Sequence, residues 1–256
     1  ILVSYVAKHV FPGQTTAVPP SVEKIIAHIF YLQDILGYGN IAAVFWTLCI
    51  ELQFYLFYAF CLAVVQTPTQ PLIDSNGHLS SRAVVVFGLT AITGILCVNK
   101  WVTPPVPGLF ISYWPYFLAG AMIAWVYASG LKEQYFYGYF SILLLCVLVQ
   151  PTPYLVAALI TSAFLLYVAK RRIFSTALAF KPLLYLGTIS YSLYLFHSIV
   201  GWRAVILVKK LHPDAFSPTL TIVVFLGALA ASILSADLAF RLIERPSMNF
   251  AKKIRY

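Results

Sequence analysis

The stretch IAAVFWTLCIELQFYLFYAFCLAVV, residues 41–65, holds one charged side chain, Glu51, in an otherwise apolar run. About 20 apolar residues suffice to cross a bilayer as a helix, so Ile41–Val65 reads as a membrane span. A carboxylate near the middle of such a helix costs roughly 2.5–3.5 kcal/mol on insertion scales. A chain carries that cost where the group faces a cavity, a partner or a substrate. A Glu nearer the helix end would instead reach water or pair with an Arg. The intramembrane position favours the first reading, and Glu51 is a candidate site residue.

The rest of the chain is of the same kind. Hydrophobic residues make up 61% and charged residues 10%, against about 25% charged in an ordinary soluble domain. The apolar runs are continuous rather than alternating, which argues against a β-barrel. The expected fold is therefore all-α: one polytopic transmembrane bundle of seven or eight spans. Beyond Ile41–Val65 the spans are Ala83–Cys97, Leu109–Ala128, Tyr135–Val149, Tyr154–Val168, Leu183–Val208 and Leu220–Phe240. Val22–Leu36 carries Glu23, Lys24, His28 and Asp34, so it is either an eighth span or an interfacial helix. The loop Gln66–Arg82, rich in Pro, Ser, Gly and Asn, reads as a flexible connection. The opening ILVSYVA, residues 1–7, resembles the end of a span whose beginning is missing, so residues 1–256 are expected to be a single, N-terminally incomplete membrane domain.

The net charge of +9 does not point to nucleic acid, because the basic residues sit beside apolar spans. Lys170, Arg171 and Arg172 form one cluster, and Lys252, Lys253 and Arg255 another. Cytoplasmic loops carry such an excess, which predicts a multi-pass protein with residues 241–256 as a cytoplasmic tail. Cys49, Cys61, Cys97 and Cys146 fall in apolar runs with no CxxC pair. They read as buried free thiols, not metal ligands.

Polar residues inside the spans are the candidates for chemistry. Thr47, Phe54, Tyr55 and Tyr58 lie at i−4, i+3, i+4 and i+7 from Glu51, offsets that share one helix face. That stripe is expected to line a polar interior, with Tyr55 and Tyr58 as lining phenols. On the sixth span His197 follows Tyr194 by one turn and Ser190 by two. A lone His among apolar residues is ordinarily a satisfied structural group, but an imidazole beside two hydroxyls also suits acid–base work. On the last span Asp237 and Arg241 form an i,i+4 pair, and Arg241 and Glu244 an i,i+3 pair. This reads either as a salt-bridge cluster closing the bundle or, with Arg245, as a site for an anionic ligand.

Four stretches carry a family resemblance. FWTLCIELQFYL (45–56) resembles the W-[ST]-L-x-x-E-x-x-F-Y-L signature of the membrane acyltransferase 3 family. YFLAG (116–120), GTISYSLYLFH (187–197) and IERP (243–246) follow it in the family's order. The resemblance implies an integral membrane enzyme that moves an acyl group, often acetyl from acyl-CoA, onto a hydroxyl of a sugar, glycolipid or small molecule. It implies Glu51 and His197 as catalytic, with Trp46, Tyr55, Tyr58, Ser190 and Tyr194 around the substrate and Arg241 and Arg245 toward the CoA phosphates. The partners it implies are the lipid bilayer, acyl-CoA and a hydroxyl-bearing acceptor, with neither metal nor nucleic acid. The family's own catalytic His lies near the N-terminus behind an Arg, and neither His9 nor His28 matches that pattern. The alternatives are a proton-coupled secondary transporter, which the intramembrane Glu51, His197 and Asp237 would serve, and an inactive truncated family member.

Overall fold

The computed structural model describes residues 20–254 apart from 43, 68–69, 175, 178 and 212–216. The opening stub at 1–7 and His9 lie outside these. Helices account for nearly all of the regular structure. Among the described residues the only β pairing is two isolated bridges, Thr67 with Gln70 and Ile73 with Leu79. The helices are α1 Val22–Ile29, α2 Phe45–Val65, α3 Ser81–Val98, α4 Trp114–Ser129, α5 Glu133–Val149 and α6 Pro153–Arg171. They continue with α7 Lys181–Thr188, α8 Ser190–Phe196, α9 Trp202–Leu211, α10 Pro218–Ala239 and α11 Arg245–Ile254. A short 3₁₀ turn, Phe110–Tyr113, leads into α4. One π turn, His197–Gly201, joins α8 to α9, and another, Phe240–Glu244, joins α10 to α11.

The helix ends follow local chemistry. Ser21, Ser80, Thr152 and Ser217 each accept a backbone N–H from three residues on, at 3.3, 3.3, 3.2 and 3.2 Å, satisfying a donor that the helix leaves orphaned. Proline occupies the first turn of α4, α6, α7 and α10, where its missing N–H is no loss. Gly130 stops α4 at φ 72°, a left-handed position that costs glycine nothing.

Five helices are long and apolar enough to cross a membrane: Phe45–Val65, Ser81–Val98, Pro153–Arg171, Ser190–Lys210 and Pro218–Lys253. They mark the chain as a membrane protein. Two expected spans are shorter. Trp114–Ser129 and Glu133–Val149 have 16 and 17 residues, roughly 24–26 Å of helix against about 30 Å of hydrocarbon. Val22–Leu36 is not a span, since its helix stops after eight residues at Ile29. The reason is polar anchoring: His28 Nε2 accepts the Ile41 N–H at 3.0 Å, and Gln33 Nε2 donates to the Phe45 carbonyl at 3.2 Å.

Contacts divide the chain into two compact units, one of residues 1–41 and 45–177, the other of 42–44 and 178–256. In the first, the core is aromatic: Phe54 stacks on Phe117 with centroids 4.0 Å apart, and Phe57 and Phe110 meet Trp114 edge-on. Helices α3 and α4 approach closely at Gly94, where an added Cβ would lie 2.9 Å from the Pro115 ring. Small residues permit such approaches in membranes, where packing rather than water exclusion holds helices together. The loop expected to be flexible is instead a tied turn. Asp74 Oδ1 accepts the Asn76 and His78 amides, both at 2.8 Å, and the Lys132 N–H bonds the Gly77 carbonyl at 2.9 Å. All four cysteines are buried free thiols, as their apolar surroundings imply.

Candidate functional site

On α2 the expected single stripe is split in two. Phe54 is buried, and Tyr58 turns into the unit, where its hydroxyl accepts the Trp125 indole N–H at 2.9 Å. Glu51 and Tyr55 face outward, both exposed. The Tyr55 hydroxyl donates to Glu51 Oε1 at 2.8 Å. The cause is angular: residues i+3 and i+7 fall to one side of position i on a 3.6-residue helix, and i+4 to the other. The outward Glu51–Tyr55 edge is continuous with Leu52 and Leu56, also exposed. Tyr58 thus packs and hydrogen-bonds within the first unit, on the other side of the helix from Tyr55. Trp46, partly buried one turn earlier, packs against Tyr113 with ring centroids 5.7 Å apart.

This geometry gives Glu51 a defined partner. A phenol that donates to a carboxylate oxygen leaves the second oxygen open and fixes the rotamer that presents it. The helix carries no other charged side chain from Phe45 to Val65.

In the second unit, His197 is the first residue of a π turn, an irregularity that recurs at functional sites. Its Nδ1 lies 2.7 Å from the Tyr194 carbonyl. A carbonyl only accepts, so Nδ1 is the donor in this contact. The imidazole is exposed, with the Tyr194 ring 5.6 Å away by centroids. The Tyr194 hydroxyl donates to the Val44 carbonyl at 3.1 Å, within the same unit. Ser190, exposed, opens α8 two turns before the imidazole.

At the other π turn the expected pairs are partly exchanged. Arg241 Nε bonds Asp237 Oδ2 at 2.8 Å, as the i,i+4 spacing implies. Glu244 does not pair with Arg241. Its Oε2 accepts the buried Ser192 hydroxyl at 2.6 Å instead. A π turn takes up more residues than an α turn, so the i,i+3 rule that paired Arg241 with Glu244 no longer holds across it. Arg245 is exposed and makes no ion pair with any described residue. The Ser192–Glu244 bond was not readable from the chain. Ser192 lies inside GTISYSLYLFH, but nothing in that spacing points to a carboxylate 52 residues away.

The catalytic candidates therefore fall in both units: Glu51 with Trp46, Tyr55 and Tyr58 in the first, and His197 with Ser190, Tyr194, Arg241 and Arg245 in the second. Among the described residues no three His, Cys, Asp or Glu side chains gather to hold a metal ion. Comparison with protein-family models, with curated proteins and with solved structures finds no match to this chain.

Proposed function

We propose that the protein is an integral membrane O-acyltransferase of the acyltransferase 3 type, moving an acyl group, acetyl foremost, from acyl-CoA to a hydroxyl of a carbohydrate, glycolipid or small molecule. The observation that carries this reading is the Tyr55–Glu51 hydrogen bond of 2.8 Å on an otherwise uncharged apolar helix, within the FWTLCIELQFYL stretch. In the reaction a base takes the acceptor's hydroxyl proton and the oxygen attacks the thioester carbonyl. The C–S bond then breaks, and the CoA thiolate takes up a proton.

Such a step needs a base for the hydroxyl and donors for the developing oxyanion. Glu51 is a base or the group that orients one, and Tyr55, whose hydroxyl proton goes to that carboxylate, holds it in place. His197, whose Nδ1 donates to the Tyr194 carbonyl, is the second candidate for acid–base work. Trp46, Ser190 and Tyr194 are proposed substrate contacts. Arg245, with no described counter-ion, and Arg241 would attract CoA phosphates. This reading keeps seven spans, adding Trp114–Ser129 and Glu133–Val149 to the five longer ones, with the C-terminal tail in the cytoplasm on the charge asymmetry of the loops.

The deciding experiment is acyl transfer by the protein in proteoliposomes, with Glu51→Gln and His197→Asn assayed separately. General acid–base catalysis contributes typically 10²–10⁴-fold. A loss of roughly 100-fold or more in one variant, with membrane insertion intact, assigns the base. Solute uptake by the wild type without acyl-donor consumption would replace this reading with transport.

A further inference from the structure

The apolar part of Pro218–Lys253 is far shorter than the helix. This helix runs unbroken for 36 residues, roughly 54 Å at 1.5 Å per residue, against about 30 Å of hydrocarbon. Residues 218–236 contain no charged side chain, and the first charge is Asp237. Hydrocarbon therefore accommodates α10, and the π turn and α11 stand at its edge and beyond. Over Arg245–Ile254 the sequence RPSMNFAKKI changes character. Arg245, Asn249, Lys252 and Lys253 fall at i, i+4, i+7 and i+8, one face of a helix. Pro246, Met248, Phe250 and Ala251 occupy the remainder, with Ser247 among them.

Among the described residues neither face has a protein partner. Met248 is 49% and Phe250 65% exposed. Arg245, Lys252 and Lys253 are exposed and make no ion pair with any described residue. The α11 segment itself contains three cations and no acid. Ser247 donates back to the Ile243 carbonyl at 2.7 Å, so its hydroxyl is spent within the helix and leaves the apolar arc dry. An apolar arc beside a purely cationic face at the level of the headgroups is the composition of a helix that lies in a charged lipid interface. Standing upright in water, it would expose Met248 and Phe250. A neutral interface would leave three cations without counter-ions.

We infer that α11, the headgroup-level end of one tilted continuous helix, docks on the anionic phospholipid headgroups of the leaflet where α10 emerges, its apolar arc turned toward the upper acyl chains. The occupant is the bilayer of the protein's own membrane. The charge complementarity of Arg245, Lys252 and Lys253 selects anionic over zwitterionic lipid, and the π turn at Phe240–Glu244 sets the rotational phase between the spanning and interfacial parts. The inference is independent of the acyl-transfer reading, since it uses no residue assigned to chemistry except Arg245, and its test does not measure turnover.

The test uses the full chain in nanodiscs of phosphatidylcholine alone or with 30 mol% phosphatidylglycerol (about three lipids in ten). Because all four native cysteines are buried, a single polarity-sensitive thiol dye reports selectively on Ala251→Cys or Asn249→Cys. The expected result is a blue-shifted emission at position 251 in the anionic discs only, with position 249 remaining aqueous in both. The shift should be lost in the Lys252→Glu/Lys253→Glu background and on raising the salt concentration, because screening weakens headgroup attraction. Salt acts on the unaltered helix, so the test does not depend on the double variant folding. An aqueous dye at position 251 in anionic discs, or a buried one that ignores both lipid charge and salt, overturns the inference. The latter would mean that protein, or hydrophobicity alone, covers the helix.

Discussion

Trp125 on α4 donates its indole N–H to the Tyr58 hydroxyl on α2 across 2.9 Å, joining residues 67 apart in the chain. Both rings lie within the aromatic core of the first unit, Tyr58 stacking on Phe54 at 5.8 Å. Tyr58→Phe keeps the ring and removes the acceptor. It strands a buried N–H, a loss of about 1–3 kcal/mol. The expected outcome is a lower unfolding temperature in detergent with unchanged acyl transfer. A rate loss at unchanged stability would return Tyr58 to the site.

Tyr55 is expected to behave in the opposite way. It is 56% exposed and donates only to Glu51. Tyr55→Phe should leave unfolding temperature nearly unchanged and lower turnover by roughly tenfold, less than Glu51→Gln does, since the carboxylate itself survives. The measurement is the ratio of the two variants' rates in one proteoliposome preparation. Equal losses would show that the phenol acts in its own right.

Gly201 ends the first π turn where a Cβ would lie 2.7 Å from Ser232 Oγ on α10. Ser232 is itself buried, its hydroxyl donating to the Ala228 carbonyl at 2.8 Å. Gly201→Ala should destabilise by about 1–3 kcal/mol through overpacking. Gly201→Ala/Ser232→Ala should recover most of it by removing the obstructing oxygen. A double-mutant cycle on thermal unfolding checks this, and additive losses would place the strain elsewhere.

Asp74 lies in the loop outside the spans. The His78 backbone N–H, first, and the Asn76 N–H hold its carboxyl below the ordinary aspartate value of 3.8. A depressed folded value means that ionisation favours the folded turn. That contribution is complete above the unfolded aspartate range and disappears as pH falls through the lower folded value. Amide-exchange protection at Asn76 and His78 should therefore persist through pH 4 (about the unperturbed aspartate value) and decline only below it. In Asp74→Asn it should be weak at every pH. Protection that ignores both changes would remove Asp74 from the turn's support.

Much of the helix placement was legible in the chain, and the reason is the solvent. In lipid every backbone polar group must be satisfied within its own segment, so a continuous apolar run such as 41–65 has one outcome. The same run says little about which side faces inward. Lipid tails and bundle interior are equally apolar, and the periodicity that orients a helix in a soluble protein is nearly flat along α2. Hence the Glu51 stripe was foreseeable as polar, but its division into an inward Tyr58 and an outward Tyr55 was not. Val22–Leu36 failed as a span for a related reason. Its fate depends on His28 and Gln33 finding backbone partners at Ile41 and Phe45, contacts that no local pattern encodes.

By itself, then, the amino-acid order determined a helical membrane protein, the approximate seats of its long helices, and the identity of its few intramembrane polar groups, because apolarity is a local property; the last span runs on past the expected Phe240 to Lys253. Tertiary structure alone decided which of those groups meet: Tyr55 with Glu51, Tyr58 with Trp125, and Ser192 with Glu244 across a π turn. Those meetings depend on helix rotation and on where an extra residue enters a turn, and both are fixed by packing between segments distant in the chain.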